Sequence, residues 1–171
     1  MTAEGTPVAR VATEADVEEI CRVCAAGWRD TYRGTHTDAD IEATVAEFYV
    51  PGRVRSEIGA GPGWWGWVVA EADGRVAAAG GGGPSEAGAC ELYVLYVDPP
   101  LQRRGLGSAV LALVTEQGRV HGATRQRVAV APDNPKGAGF YRRHGFVEVG
   151  RRPGYPASRA AIESLVMERA I

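Results

Sequence analysis

The 171-residue sequence predicts a mixed α/β fold in a single domain, residues 1–171, and three observations lead to it. Strand-like and helix-like segments follow one another in the order β-α-α-β-β-β-α-β-α-β-β, which is typical of mixed α/β proteins. Asp73-Gly74 separates two of the strands and is the strongest short signal of a β-hairpin. Ala89–Val97 leads through a turn rich in Pro and Gly into a helix that begins near Leu106.

The N-terminal part is predicted as a short strand followed by two helices. The strand is Val8–Val11, and Thr13 then opens a capping-box-like sequence in which Asp replaces the usual Glu or Gln. This first helix extends to about Trp28. Thr37 or Asp38 provides an N-cap for the second helix, whose apolar residues share one face.

The middle of the chain is predicted to form the hairpin. Pro51-Gly52 and Gly61-Pro62-Gly63 interrupt the helical pattern before it. Trp64–Ala72 and Arg75–Gly80 follow as its two strands, with the tryptophans on a half-buried strand. The glycine-rich segment Gly80–Ser85 is expected to be a loop.

The C-terminal half is predicted to contain two more helices and three further strands. Asn134-Pro135 is a favourable N-cap and first-residue pair for the second of these helices, and Gly145 fits the position just past its end. The predicted elements are a helix from Leu106 to about Val120, a strand Arg127–Ala131, a helix ending at His144-Gly145, and strands Phe146–Val149 and Ile162–Arg169 joined by the loop Arg151–Ala160.

The composition is that of an ordinary globular protein, with 45% hydrophobic residues, 23% charged residues and a formal net charge of −2. This charge gives no indication of nucleic-acid or membrane binding, so neither partner is expected. The first residues lack a signal-peptide pattern, and no apolar run is long enough to span a membrane. Three cysteines without disulfide spacing are typical of a reducing compartment, and we expect a cytoplasmic protein.

Cys21 and Cys24 have a spacing that can indicate metal or redox chemistry. They fall on the apolar stripe of the first predicted helix, and no second Cys/His pair at ligand spacing follows them. We therefore expect both thiols to be core residues, and we expect no metal site.

The turn within Val97–Ser108 is the most informative part of the sequence. Pro99 and Pro100 end the strand because they cannot continue its hydrogen-bond ladder. Gly105 and Gly107 let main-chain N–H groups face a ligand, and the N-terminus of a helix favours an anion. The turn therefore predicts a pyrophosphate site. The alternative is an ordinary connection between a strand and a helix.

Two motifs occur in an order and setting that indicate a family. Gln102-x-x-Gly105-x-Gly107 follows Val97-x-Pro99, and Asn134 lies seven residues before Tyr141, which precedes Gly145-Phe146. These motifs and the element order resemble the GCN5-related N-acetyltransferases, the GNAT family, over nearly the whole chain. The resemblance implies a mostly antiparallel, twisted sheet of about seven strands, splayed between the fourth and fifth strands and flanked by about four helices.

The resemblance also implies that acetyl-CoA is the co-substrate and that its pantetheine arm lies between the splayed strands. Main-chain N–H groups of the turn would bind the pyrophosphate. The backbone of the fourth strand would bind the pantetheine amides and the thioester oxygen, and Asn134 would help to hold the arm. The implied cofactor-binding residues are Leu95, Tyr96, Val97, Gln102, Arg103, Arg104, Gly105, Leu106, Gly107, Ser108 and Asn134.

Glu91 and Tyr141 are the catalytic candidates that the resemblance implies. Glu91 lies fourteen positions before Gly105, the register of the catalytic Glu in histone-type members, and strand alternation puts it on the face of Leu95 and Val97. As general base it would be about 13 Å from an amine near Leu95 and would act through water. Tyr141 would protonate the departing thiolate of CoA. The alternatives are a solvated Glu at a strand start and a buried aromatic residue.

The acceptor pocket is expected between the first two helices and two loops. It would include Trp28, Tyr32 and Asp30, together with Gly80–Ser85 and Arg151–Ala160. The arginines of the last loop argue against a polycationic acceptor.

The sequence thus predicts an N-acetyltransferase that moves an acetyl group from acetyl-CoA directly to a primary amine of a small molecule or peptide. Cys90 lies opposite Glu91 by strand alternation, which argues against an acyl-enzyme. A non-catalytic acyl-CoA-binding or sensory module is the alternative, and a dinucleotide-binding oxidoreductase would need a Gly-x-Gly-x-x-Gly spacing that the chain lacks. A homodimer could form through the apolar last strand, although burial within one chain explains the same residues.

Overall fold

The computed structural model of the protein describes residues 6–154 and 163–171. Its elements in chain order are β1 (Ala9–Val11), α1 (Val17–Tyr32), α2 (Asp38–Phe48), α3 (Pro51–Ser56), β2 (Val68–Ala72), β3 (Arg75–Pro84), β4 (Ala89–Val97), α4 (Leu106–Val120), β5 (Arg125–Val130), α5 (Pro135–Arg143), β6 (Val147–Pro153) and β7 (Glu163–Ala170). The strands form one sheet in the order β1-β2-β3-β4-β5-β7-β6. The β4–β5 pair is parallel and the other neighbouring pairs are antiparallel, so the predicted fold class is confirmed.

Helices cover both faces of the sheet. On one face, α4 and α5 bury apolar side chains such as Val110 against Leu92 and Val128 of the central strands. On the other face, α1 and α3 bury Ile20 and their neighbours against β2 and β3, and α2 packs on α1. Within the described ranges, no helix has the length and apolar character needed to cross a bilayer.

Side-chain caps start the first two helices as their sequences predict. The Thr13 N–H donates to the Asp16 carboxylate at 2.8 Å, which completes the capping box before α1. The Thr37 hydroxyl accepts from the Asp40 N–H at 3.1 Å, so Thr37 rather than Asp38 is the N-cap of α2.

The cysteines of α1 are core residues. Cys21 and Cys24 are buried free thiols, and burial raises the pKa of Cys21 to about 11 and that of Cys24 well above its usual range. Both thiols therefore stay protonated near neutral pH and are poor nucleophiles. Across residues 6–154 and 163–171, no cluster of three or more His, Cys, Asp or Glu side chains could hold a metal ion.

β4 and β5 separate towards their C-terminal ends. Their parallel pairing begins at Ala89 and Arg125 and ends at Leu92 and Val128, whereas β4 continues to Val97. Over its remaining residues β4 is paired with β3 in the described sheet. Its main-chain groups on the β5 side therefore face an opening, which is the splay that the family resemblance implies.

Two predictions for the middle of the chain are wrong. Trp64–Trp67 precedes the strand, because Gly66 adopts a φ of +89° and turns the chain before β2 begins at Val68. Gly80–Ser85 is not a loop, because β3 extends to Pro84 and its glycine run is paired with β4 and buried. Glycine is normally depleted in strands, but here close neighbours require it.

The structure also contains a helix that the sequence did not predict, α3, and a strand that is longer than predicted, β6. Pro51 stands at the first position of α3, where its missing N–H is harmless, so it begins a helix as well as ending one. β6 pairs with β7 as far as Pro153, so the strand that was predicted to end at Val149 is longer and Arg151 and Arg152 belong to it. Residues 155–162, including Arg159 and Ile162, lie outside the described residues.

Candidate active site

A cleft of about 1640 Å³ opens where β4 and β5 separate. Its walls come from α1, the loop before β2, β4, the turn after β4, the start of α4, and α5. With the exception of Arg104, every residue predicted for the cofactor and the chemistry lines it, and so do Trp28 and Tyr32 of the predicted acceptor pocket: Trp28, Tyr32, Glu91, Leu95, Tyr96, Val97, Gln102, Arg103, Gly105, Leu106, Gly107, Ser108, Asn134 and Tyr141.

The turn after β4 presents the N-terminus of α4 to the cleft. Gly105 is the N-cap, with a left-handed φ of +80°, and Arg103 has a φ of +66°. The Ala109 N–H donates to the Gly105 carbonyl at 3.0 Å. The N–H groups of the preceding turn of helix thus have no partner within α4 and provide hydrogen-bond donors together with the positive end of the helix dipole. This arrangement fits a phosphate group.

The arginines of the turn lie on different sides. Arg103 lines the cleft, as does Arg143 of α5, so both add positive charge where an anion would bind. The Arg104 guanidinium instead approaches the Asp73 carboxylate at 3.4 Å on the hairpin between β2 and β3. Any contribution of Arg104 to a ligand in the cleft would therefore come from its main chain.

The side chain of Ser108 connects α4 to α5. Its hydroxyl lies 3.0 Å from Nε2 of His144, and Nδ1 of the same ring lies 3.0 Å from the Phe140 carbonyl. A proton on Nδ1 would donate to that carbonyl and leave Nε2 to accept from the hydroxyl. This contact holds the two helices together at the mouth of the cleft.

Asn134 caps α5 as its sequence predicts. Its Oδ1 accepts from the Gly137 N–H at 2.9 Å. A Cβ on Gly137 would lie only 2.6 Å from Nδ2 of Asn134, so the capping side chain, rather than a close approach of the cofactor, explains this glycine. Asn134 also lines the cleft, and its amide can offer a donor there.

Tyr141 lies in the wall of the cleft with its ring in the core. The ring packs against Phe140 and Phe146 at centroid distances of 5.1 and 5.4 Å. Burial, and to a lesser extent the nearby Tyr32, raise the pKa of the Tyr141 phenol. The hydroxyl therefore keeps its proton over the neutral range and can donate it.

Simple alternation predicts that Glu91 shares a face of β4 with Leu95 and Val97, but in the structure it does not. The pairing with β3 shifts between Gly81 and Gly82, which leaves Tyr93 as an extra residue in a β-bulge. Leu92, Leu95 and Val97 consequently pack together towards α4. Glu91 lies on the opposite face, and the expectation from alternation is wrong.

A guanidinium holds the carboxylate of Glu91. Arg152 of β6 donates through both terminal nitrogens to the two carboxylate oxygens, at 3.1 Å for Nη1 and Oε2 and at shorter range for the second pair. The Glu91 side chain is 5% exposed, whereas that of Arg152 is 44% exposed. Any proton transfer to Glu91 must therefore compete with this ion pair. Sequence reasoning named Arg152 only as a loop residue.

Aromatic rings form the wall of the cleft on the side of α1. Trp28 lies 4.3 Å from Tyr32 between ring centroids and 6.2 Å from Tyr96. Tyr49 stands edge-on to Tyr96 at 6.1 Å. Burial raises the pKa of the Tyr49 and Tyr96 phenols well above their usual range, with further contributions from neighbouring tyrosines. Sequence reasoning missed Tyr49 and Trp64 as residues of this wall.

Two predicted parts of the acceptor pocket lie elsewhere. Asp30 is not among the lining residues described for the cleft, although its carboxylate lies 3.6 Å from Nζ of Lys136, which does line it. Gly80–Ser85, as part of β3, contributes no lining residue within the described cleft. Other residues, such as Tyr96 and Trp64, line the cleft instead. Gly27 and Gly81, which contact these two rings, could have indicated them, because a glycine inside a helix or strand often marks the close approach of another group.

Comparison with known proteins places this cleft in a family context. The model of the acetyltransferase (GNAT) family matches residues 26–146. No curated protein sequence matches the chain. Among solved structures, the PaiA N-acetyltransferase of Thermoplasma acidophilum in complex with coenzyme A is similar, with a TM-score of 0.81, 21% identity and coverage of 96% of this chain and 99% of that one.

Two further structures show the same fold. A GCN5-related N-acetyltransferase of Rhodopseudomonas palustris gives a TM-score of 0.78 at 15% identity, with 100% of this chain and 99% of that one covered. The ribosomal-protein-S18-alanine N-acetyltransferase of Escherichia coli gives 0.67 at 18% identity, with 96% and 94% covered. The family model matches most of the chain, including the turn and both sequence motifs, and the chain belongs to the GNAT family of acetyltransferases.

Proposed function

We propose that this protein is an acetyl-CoA-dependent N-acetyltransferase that moves the acetyl group directly to a primary amine of a small molecule or peptide. The observation that carries the proposal is the opening between β4 and β5, which has a helix N-terminus at its mouth and a buried tyrosine in its wall. Family membership supports the acetyltransferase activity. The coenzyme A in the similar PaiA structure supports the choice of donor.

The residues of the cleft fit the chemistry of coenzyme A. The N–H groups at the start of α4, with Arg103 and Arg143 nearby, suit a diphosphate. Beyond Leu92, the β5 side of β4 offers main-chain donors and acceptors that suit the two amides of pantetheine. The Asn134 amide lies along the same cleft. We assign the cofactor-binding role to these groups.

In the proposed reaction, the neutral amine nitrogen attacks the thioester carbonyl carbon and the carbon–sulfur bond breaks. The products are the acetylated amine and the free thiol of CoA, so the amine loses one proton and the sulfur gains one. Main-chain N–H donors of β4 would stabilise the oxyanion. Tyr141, kept protonated by burial, would donate to the departing sulfur.

For removal of the proton from the amine, we propose Glu91 acting through water. Its position at the end of the β4–β5 pairing and in the wall of the cleft supports this role. The bidentate contact with Arg152 means that water, or the amine itself, has to displace a guanidinium N–H to reach the carboxylate. Glu91→Gln should therefore lower kcat with a confirmed amine substrate if Glu91 is the base, and an unchanged kcat would contradict this role.

We also propose a cytoplasmic location and a homodimer. The buried, protonated thiols of α1 are compatible with a reducing compartment. β6 is an edge strand on which Val147 and Val149 are 62% and 52% exposed, and such an edge can pair with that of a second copy. Light scattering of the purified protein would test the dimer, and Val149→Lys should shift it to monomer.

The decisive experiment is a panel of amines incubated with acetyl-CoA while thiol release is followed. The proposal expects release that depends on one amine or more, acetyl-CoA binding by calorimetry, and a loss of about 10²-fold or more in kcat for Tyr141→Phe with unchanged affinity for acetyl-CoA. Full turnover by Tyr141→Phe would contradict the assignment of the acid. Binding without thiol release from any amine would indicate a non-catalytic acyl-CoA-binding module instead.

A further inference from the structure

The aromatic residues of the chain are concentrated in one place. The sequence contains four Trp, six Tyr and three Phe, and of the twelve that the structure describes, ten line the cleft. Phe140 and Tyr141 belong to the α5 side. The other eight come from α1, the end of α2, the loop before β2, and β4. The half of the cleft that would receive the acceptor therefore has mainly aromatic walls.

Six of these rings pack into what we call the aromatic wall: Trp28, Tyr32, Tyr49, Trp64, Trp67 and Tyr96. Trp64 and Trp67 stand edge-to-face at 5.5 Å with an interplanar angle of 72°. Tyr49, Trp64 and Tyr96 all pack against the core cluster that contains Trp67. Such a wall offers ring faces and edges to a flat ligand.

Two rings of the aromatic wall pack directly on backbone positions that are occupied by glycine. A Cβ on Gly27, in the interior of α1, would lie 2.6 Å from Cδ1 of Tyr96. A Cβ on Gly81 of β3 would overlap the indole of Trp64. Glycine weakens both helices and strands, so its use at these positions indicates that the placement of the two rings matters.

The aromatic wall also contains hydrogen-bond donors that have no partner. The indole N–H groups of Trp28 and Trp67 are buried and unpaired among the residues that the structure describes, whereas that of Trp64 donates to the Glu57 carbonyl at 2.8 Å. Both Trp28 and Trp67 line the cleft. Because buried donors are normally satisfied, an acceptor atom on a ligand is expected beside them.

The charges of the cleft argue against a polycation. Within the described lining, the acidic side chains are Glu57 and Glu91, and each is paired with an arginine: Arg53 at 2.9 Å from Glu57, and Arg152 on Glu91. An acceptor with several ammonium groups would therefore find no unpaired carboxylate among the described lining residues.

On the basis of the proposed function, we infer that the acceptor is a monoamine carried on a flat aromatic body that also bears a hydrogen-bond-accepting oxygen. Arylalkylamines and amides of aromatic amino acids belong to this class. The ring packs against the aromatic wall, the oxygen accepts from an indole N–H, and the amine reaches the thioester beside β4. Trp64 and Trp28 determine the specificity for the ring and for the oxygen, respectively.

The test compares kcat/KM for four amines at saturating acetyl-CoA. With kcat/KM calculated per neutral amine, phenylalaninamide should exceed 2-phenylethylamine about fivefold because it adds an oxygen. 2-Phenylethylamine should exceed 2-cyclohexylethylamine about tenfold because only the former is flat. Spermidine should be the poorest substrate. Preference for spermidine or for the cyclohexyl amine would overturn the inference while leaving the proposed acetyl transfer intact. An absence of turnover with every amine would overturn both.

Single substitutions of tryptophans test which residues cause these substrate preferences. Trp64→Leu should lower kcat/KM for 2-phenylethylamine at least tenfold without changing the affinity for acetyl-CoA measured by calorimetry. The control is Trp65→Leu, because the Trp65 ring stacks on His121 at 4.7 Å and is not among the lining residues described for the cleft. Trp28→Phe keeps a ring, so it should fold, and should abolish the preference for phenylalaninamide. Equal losses in Trp64→Leu and Trp65→Leu, or an unchanged preference in Trp28→Phe, would contradict the assignment.

Discussion

Replacing Arg152 by Gln should destabilise the protein because it leaves the buried carboxylate of Glu91 without its charged partner. Glu91 is 5% exposed and has Arg152, which is 44% exposed, as its bidentate partner. Removing one partner of a fully buried pair typically costs about 3–5 kcal/mol, whereas exposed pairs contribute about 0–1 kcal/mol. Since one member of this pair is buried and the other half exposed, we expect Arg152→Gln to lower the free energy of unfolding by about 2 kcal/mol.

The reverse substitution should be milder. In Glu91→Gln, the Arg152 head can turn to water, because it already lies at the surface, and no charge is left buried. We expect a loss of about 1 kcal/mol. In the double variant two neutral amides face each other. The double-mutant cycle should give a coupling free energy between Glu91 and Arg152 of about 1–2 kcal/mol.

Urea unfolding followed by circular dichroism at pH 7 measures all three variants. The control is Arg151→Gln, because Arg151 approaches Glu148 at only 3.7 Å and both side chains are about half exposed. It should stay within about 0.5 kcal/mol of the parent protein. If Glu91→Gln proved as destabilising as Arg152→Gln, or if the coupling fell to that of the control, the desolvation argument would be refuted.

Gly105→Ala should lower the free energy of unfolding by about 1–2 kcal/mol, because the φ of Gly105 is +80° and an added Cβ makes this backbone conformation unfavourable. Gly107→Ala should be close to neutral in thermal unfolding, because a Cβ added there would have its nearest neighbour at 3.4 Å. Asn134→Ala should cost about 1 kcal/mol of stability through the lost cap, and Asn134→Asp should retain most of it. Burial raises the pKa of Tyr96, so the folded state binds the phenol proton more tightly than the unfolded state does. The free energy of unfolding should therefore fall as pH rises above about 10. Tyr96→Phe should reduce that fall in urea titrations at about pH 9 and 11. Cys21, with a pKa of about 11, should react with a thiol reagent at pH 8 only after unfolding, and rapid labelling of the native protein would refute its burial.

Local signals account for most of the fold that could be predicted. The capping box at Thr13, the N-caps at Thr37 and Asn134, and the turn at Gly105 each depend on atoms a few residues apart, so short stretches of sequence contain the required information. Pro51 was misleading because proline suits both the interruption and the first turn of a helix. Gly66 was missed because a strand-like alternation of tryptophans surrounds it.

By itself, then, the sequence determined the class of fold and the turn after β4, since these follow from backbone preferences and residue order. The family resemblance of the two motifs further implied that both line one cleft. Tertiary structure alone decided that Tyr93 forms a bulge that places Glu91 on the other face, that Arg152 pairs with that carboxylate, and that Gly81 of β3 makes room for Trp64. These features depend on contacts between segments far apart in the chain. Pairing register and packing, which no local pattern encodes, select them.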